Sequence, residues 1–287
     1  MRTVEITYRY GGVDEVVRPR PLDADSARSR LDAGNREFAA LLGGLAADNT
    51  IARRVVEVDP RDLGLDPGSN EAPRQRPFAA VIGCSDAQVP IELIFNEGPN
   101  DLFVIRVAGN GLGGDVLGSL KYAVEHLSGS LRLVVVLAHS GCGAITAAVD
   151  VFLEPAGYLT LATQHALRNI LDRQLIVVQA CAKTLATALG PDVTRRPGYR
   201  EALIETSIVL NAALTAHTVQ QEIGRGVSSS LQAVYGVYLL QTREVWTPRA
   251  GVEESTGLAA PPTDAASFRS FGEAVMKSPR IASLLRA

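Results

Sequence analysis

Leu131-Arg132-Leu133-Val134-Val135-Val136-Leu137-Ala138 runs almost unbroken in apolar residues and stops at His139. A run this apolar, with no polar alternation, suits a strand buried on both faces of a parallel sheet. Three more runs share the character. Phe78-Ala79-Ala80-Val81-Ile82 stops at Gly83-Cys84, Leu102-Phe103-Val104-Ile105 ends near Ala108-Gly109-Asn110, and Gln232-Ala233-Val234-Tyr235-Gly236-Val237-Tyr238 lies far downstream. Between them the spacing turns helical. Val116, Leu117, Leu120, Val124 and Leu127 fall on one face, as do Ala144, Ile145, Ala148, Val149 and Phe152. Strands alternating with helices predict an α/β fold with right-handed crossovers. No repeat of fixed period is visible.

Working outward, Val4-Glu5-Ile6-Thr7-Tyr8 alternates at period two, Gly11-Gly12 offers a turn, and Val13 to Val17 can return. Residues 1–22 are therefore expected to form a short hairpin. A first helix is expected from near Ser26, capped by Asp25 or Ser26, with Leu31, Phe38, Leu41 and Leu42 near one face. Asp59 to Arg76 is rich in proline, glycine and charge and reads as a surface connection. Gly157 to His217 reads as helices, broken at Gly190-Pro191 and around Arg196-Pro197-Gly198. The segment after Pro248 is expected to wrap the surface and to end in a short helix near Phe268 to Met276. The expected division is an N-terminal extension over 1–24, a main domain over 25–248 with a helical insertion near 154–202, and a C-terminal tail over 249–287.

Hydrophobic residues make up 46% of the 287 and charged residues 21%, ordinary for a soluble globular chain and too apolar for wholesale disorder. A net charge of −3 gives no electrostatic reason to expect nucleic acid. The apolar run at 131–138 is far too short to span a bilayer, so no membrane partner is expected. Met1-Arg2-Thr3-Val4-Glu5-Ile6 lacks the apolar core of a signal peptide, and a cytoplasmic location is expected. The three cysteines are an odd number in a long chain, which fits reduced thiols or a metal site better than a disulfide framework.

Two of those cysteines, Cys84 and Cys142, sit at informative places. Cys84 ends one buried strand; His139 ends another, and Cys142 follows three residues later. In an open α/β sheet, ligands bind outside the carboxyl ends of the strands. Neighbouring strand ends would bring Cys84 close to the His139-Ser140-Gly141-Cys142 turn. Two thiolates and an imidazole suit Zn²⁺. The fourth position is left for water or a carboxylate, and Asp86 is the obvious carboxylate. Against this, a lone H-x-x-C pair is a weak signal, and a cysteine among apolar residues is most often core packing. Cys181, in Val177-Val178-Gln179-Ala180-Cys181 with no histidine nearby, is assigned to the core. His126, His165 and His217 have no partner cysteine and read as structural or surface residues.

At these residues a resemblance enters. Val81-Ile82-Gly83-Cys84-Ser85-Asp86-Ala87-Gln88-Val89-Pro90 closely resembles the first zinc motif of β-class carbonic anhydrases, and Ala138-His139-Ser140-Gly141-Cys142-Gly143-Ala144 resembles the second. Leu102 to Asn110, Gly118 to Val124, Arg30 to Phe38 and Val234 to Tyr238 also resemble the family, in the right order. The strong part covers 78–149, with weaker support from 28–42 and 205–246. The resemblance implies a four-stranded parallel sheet with a further edge strand, flanked by helices, and an N-terminal helical arm that helps to build a homodimer or larger homo-oligomer. It implies zinc on Cys84, His139 and Cys142, with Asp86 conditionally a fourth ligand. It implies reversible hydration of CO₂ to bicarbonate and a proton, with Asp86 and Gln88 at the reacting centre. Backbone amides near Gly143 are expected to hold the developing bicarbonate oxygen.

The departure from the pattern is Gln88. The family has an arginine there, which holds the aspartate matching Asp86 off the metal. Glutamine has neither the charge nor the guanidinium fork. Either glutamine orients Asp86 well enough for a slower enzyme, or a basic residue such as Arg106 stands in, or Asp86 closes on the zinc. Val81 stands where some bacterial members have a tryptophan of a bicarbonate inhibition site, so that regulation is not expected. Two other readings keep the zinc: hydrolysis of CS₂ or COS, and a scaffold or assembly protein without hydratase activity. Gly109-Asn110-Gly111-Leu112-Gly113-Gly114 lacks the lysine of a phosphate-binding loop and reads as a loop before a helix.

Overall fold

The computed structural model describes residues 3–11, 18–41, 51–65, 70–161, 165–224, 231–248 and 256–286. Its main sheet has five strands in the order β4-β3-β5-β6-β7: β3 is Ala79–Gly83, β4 Leu102–Arg106, β5 Leu133–His139, β6 Gln232–Tyr238 and β7 Val245–Trp246. The first four are mutually parallel and β7 is an antiparallel edge. The four parallel strands are those expected from the apolar runs, and β7 is the further edge strand that the resemblance implies.

β3 and β5 are buried along their whole length, because each is covered on both faces. Side chains alternate between the faces at period two. Ala79, Val81, Leu133, Val135 and Leu137 point to one layer, with Ala24, Ala27 and Leu31 of helix α1 (Ala24–Ala40) and Ile91 and Ile94 of helix α2 (Ile91–Ile94). Ala80, Ile82, Val134 and Val136 point to the other. That layer is built by α3 (Gly114–His126), α4 (Gly143–Leu153), α6 (His165–Leu189) and α7 (Tyr199–Gly224), with the short α5 (Ala156–Leu161) beside them. Each fully buried leucine or isoleucine contributes roughly 1.5–3 kcal/mol relative to exposure. α7 is long and apolar enough to cross a membrane by composition, but most of it is buried as the core helix behind the sheet.

Three expectations are corrected. Residues 3–10 do not form a hairpin: β1 (Thr3–Tyr10) pairs in parallel with β2 (Ile51–Val58), in register from Thr3↔Ile51 to Tyr10↔Val58. A parallel pair needs a long crossover, and α1 lies within it. The expected return strand over Val13 to Val17 lies outside the described residues. The cap of α1 is Asp23, in a reciprocal capping box with Ser26, one turn earlier than expected; Leu42 lies outside the described residues. The segment after 255 does more than wrap the surface. Its helices α8 (Ala265–Lys277) and α9 (Pro279–Leu284) bury Val275, Met276 and Ile281 in the core. Apart from these corrections, the buried face of α1 is covered within the chain. It lies on its own sheet, and buried Asn35 ties it to the edge by accepting from Val245 N at 2.7 Å and donating to Ile94 O at 3.2 Å.

Candidate metal centre

Cys84 follows β3 directly, His139 is the last residue of β5, and Cys142 precedes α4. β3 and β5 are adjacent and parallel, so these residues meet at one end of the sheet. The two sulfurs are 3.9 Å apart. One ligand atom from each of the three residues lies within 4.8 Å of the others, and all three residues are buried. Such a group can hold a metal ion. His139 is oriented by its Nδ1, 3.1 Å from Ser140 O. Its Nε2 is buried and has no hydrogen-bond partner. An orphaned polar atom in a core calls for an explanation, and a ligand supplies one.

Backbone amides support both sulfurs. Those of Gly109 and Asp86 favour the charged form of Cys84, and those of Ala144 and Ile145, in the first turn of α4, favour that of Cys142. The Cys142 sulfur, in hydrogen-bond contact at 3.9 Å, holds the Cys84 thiol well below the usual thiol range, at about 4. The same bond, together with burial, pushes Cys142 up. Burial is the largest influence on His139 and opposes its protonation, yet the nearby Cys84 sulfur and its charge raise it.

The turn between the two later ligands is tightly held. Ser140 N donates to Tyr238 O at 2.9 Å, and Ser140 Oγ accepts from Leu240 N at 3.0 Å. Gly141 follows with φ +66°, a left-handed conformation that favours glycine. Its amide donates to Glu205 Oε1 at 2.9 Å.

Asp86 stands beside the trio without joining it. Its Oδ2 is 3.8 Å from His139 Nε2, and its Oδ1 accepts from the backbone amide of Gln88 at 2.8 Å. The Gln88 residue is exposed. Arg106 does not take over as the partner of the Asp86 carboxylate. Its Nε donates to Cys84 O at 3.0 Å and its Nη2 to Asp86 O, so it clamps the loop backbone. Gly143 begins α4 with open space where a side chain would stand. Cys181 is buried, away from the trio, beside Ser207. His126 is exposed and stacks on Tyr122 at 4.6 Å, and His217 Nδ1 meets Pro262 O at 2.9 Å, as structural or surface residues do.

Several supporting residues escape a reading of the sequence. Asn110 donates to Ile82 O and Leu137 O, bridging β3 and β5 just below the ligands. Gln174 of α6 and Asn211 of α7 both donate to Gly109 O, at 3.1 and 2.9 Å. Glu205 reaches Gly141 across 64 positions of sequence. Only Asn110, inside a recognisable motif, left a trace; the others are single polar letters on helices.

A sequence profile of the carbonic anhydrase family matches residues 79–242. The chain belongs to that family, and its motif order is that of the β class. It is 37% identical over 110 residues to carbonic anhydrase 2 of Mycobacterium tuberculosis strain H37Rv, a match covering 37% of this chain and 52% of the relative. It is 46% identical over 82 residues to a carbonic anhydrase of Pseudomonas aeruginosa, covering 26% of this chain and 36% of the relative. The chain thus spans about half the length, or less, of these relatives. Among solved structures, the β-carbonic anhydrase CcaA aligns with a TM-score of 0.46 and 26% identity, over 65% of this chain and 85% of that one.

Proposed function

We propose that this chain catalyses the zinc-dependent, reversible hydration of CO₂ to bicarbonate and a proton. The observation that carries the reading is His139 Nε2, buried and unpartnered, within 4.8 Å of two cysteine sulfurs. The donor set fits the ion. Tetrahedral Zn²⁺ with bonds to sulfur of about 2.3 Å separates two thiolates by about 3.8 Å, and the sulfurs here are 3.9 Å apart. Cys84, His139 and Cys142 would hold it. When bound, Zn²⁺ supplies a Lewis acid that makes water nucleophilic near neutral pH.

The remaining work falls to the chain. The Gln88 amide occupies Asp86 Oδ1 and leaves Oδ2 on the side of His139. An acceptor there orients the proton of the attacking water. The Gly143 amide, at the exposed start of α4, is available to the developing bicarbonate oxygen. Arg106, by fixing the carbonyls of Cys84 and Asp86, keeps the ligand loop and the carboxylate in one rigid unit.

One observation favours a second reading, a zinc protein without hydratase activity that acts as a scaffold. Among the described residues no arginine side chain engages the Asp86 carboxylate, so none of them pulls it away from the metal position as the family's arginine would. Stopped-flow CO₂ hydration on zinc-replete protein across pH separates the two. Turnover near neutral pH supports the hydratase; full zinc with no turnover at any pH supports the scaffold. A homodimer or larger homo-oligomer is proposed on the resemblance, and sedimentation at micromolar protein checks it; a cytoplasmic location is proposed separately, and cell fractionation checks it.

A further inference from the structure

Gly141 is the joint of the candidate metal centre. His139 is locked by β5, and Ser140 is bolted to β6 and the segment after it. Cys142 is fixed by the start of α4. Between them Gly141 has open space where a side chain would stand, and its φ and ψ set how far the imidazole lies from the second sulfur. Its amide is held by Glu205 Oε1 at 2.9 Å. Glu205 lies on α7, mostly buried, and its other oxygen accepts from Arg280 Nε at 3.1 Å and Nη2 at 2.7 Å. Arg280 belongs to α9, near the C-terminal end of the chain. Its guanidinium also stands over the Trp246 ring of β7, 6.0 Å from the centroid.

α9 is not loosely attached. Ile281 is fully buried, and Leu284 O comes so close to Gly198 that any side chain at 198 would collide with it. The carboxylate of Glu205 therefore has a charge-assisted partner on a docked helix on one side and the metal turn on the other. A mostly buried carboxylate is disfavoured unless it is paired, and Arg280 pairs it.

We propose that Glu205, held by Arg280, is a positioning residue that locks the His139–Cys142 turn in its metal-binding geometry, so that the C-terminal helix controls how tightly the centre keeps its ion. The proposal rests on the reading of Cys84, His139 and Cys142 as metal ligands. Outer contacts of this kind typically govern metal affinity over about 10–100-fold.

The test is the rate at which zinc-loaded, full-length protein releases zinc to an excess of a chromophoric chelator, read beside the urea midpoint of the metal-free protein. Glu205→Leu is expected to release zinc on the order of tenfold faster or more. Arg280→Ala should release it several-fold faster, and Glu205→Gln, which keeps an acceptor for Gly141, should fall between wild type and Glu205→Leu. The double variant Glu205→Leu/Arg280→Ala should be no faster than Glu205→Leu, because the arginine acts through the carboxylate. Arg200→Ala, which breaks the exposed pair with Asp150 elsewhere, should match wild type. Cobalt-substituted Glu205→Leu should show altered ligand-field bands. Wild-type release rates in Glu205→Leu and Arg280→Ala overturn the lock. So does a metal-free midpoint that falls as far as the metal-loaded one, which marks a merely structural role. If Glu205→Leu does not fold, Arg280→Ala decides by the same rate. A wild-type protein that retains no zinc overturns the metal centre itself, and the lock with it.

Discussion

At the amino end of the main sheet, where Phe78 and Asp101 lead into β3 and β4, the Glu97 side chain is wholly buried. It meets Arg30 Nε at 2.9 Å and Arg18 Nη1 at 3.1 Å. Asp101 and the Phe78 ring complete the surroundings of Arg30. At the carboxyl end of the same strands His139 is equally buried, and its Nε2 has no hydrogen-bond partner. One end closes its buried charges on one another. The other gathers two thiols and an imidazole and leaves a ligating atom without a partner. The difference separates scaffolding from chemistry: buried polar groups that are fully paired hold a fold together, whereas one left open is suited to something from outside.

The comparison can be broken at either end, and the largest effect is expected at the ligands. Cys84→Ser should lose stoichiometric zinc and destabilise the protein, since metal binding couples to folding. Elemental analysis after dialysis checks it, and full zinc retention removes Cys84 from the ligand set. At the other end, Glu97→Ala should cost about 3 kcal/mol, because it leaves largely buried Arg30 with Asp101 as its remaining carboxylate partner. Urea unfolding reads this, and zinc content should not change; a parallel loss of zinc would mean that the two ends are not independent.

A smaller effect is expected within the carboxyl end. Gln88→Arg places a guanidinium where the exposed glutamine stands and gives the Asp86 carboxylate a charged partner. If about 1.4 kcal/mol of that pairing reaches the transition state, CO₂ hydration near neutral pH rises on the order of tenfold. The active range should also move to lower pH, as the carboxylate is drawn off the metal position. An unchanged pH–rate profile would show that the Gln88 backbone amide already orients Asp86 sufficiently. The smallest effect is expected at Cys181→Ser. That thiol is buried in apolar surroundings beside Ser207 and raised to about 12 by burial. Its replacement should cost about 1 kcal/mol and leave zinc content as it was, whereas a loss of zinc would contradict its assignment to the core.

How much of this was legible differs by region. β3, β5 and β6 are readable because a strand covered on both faces must be apolar, and β3 and β5 are buried at every position; β4, a half-buried edge strand, is readable only because Leu102 to Ile105 is apolar all the same. β2, Ile51-Ala52-Arg53-Arg54-Val55-Val56-Glu57-Val58, was not read as a strand. It is covered mainly toward its end, so polar and apolar residues mix. The pairing of β1 was misread for a related reason. Alternation in Val4 to Tyr8 reports a half-exposed strand but says nothing about which strand lies beside it, and the nearby Gly11-Gly12 suggested the wrong neighbour.

The sequence by itself determined the α/β class, the three candidate ligands and their family, because each rests on residue type and short spacing at the end of an apolar run. Gln88 as the departure from the family pattern was equally visible. Tertiary structure alone decided what surrounds those ligands. It turned Arg106 onto backbone carbonyls in place of the Asp86 carboxylate, brought Gln174 and Asn211 to one carbonyl of the Gly109 turn, and set Arg280 behind Glu205 at Gly141. The physical reason is reach. A buried strand or an H-x-x-C turn is written in consecutive residues. A hydrogen bond between helices far apart in the chain depends on how every intervening crossover packs, and no local pattern records that.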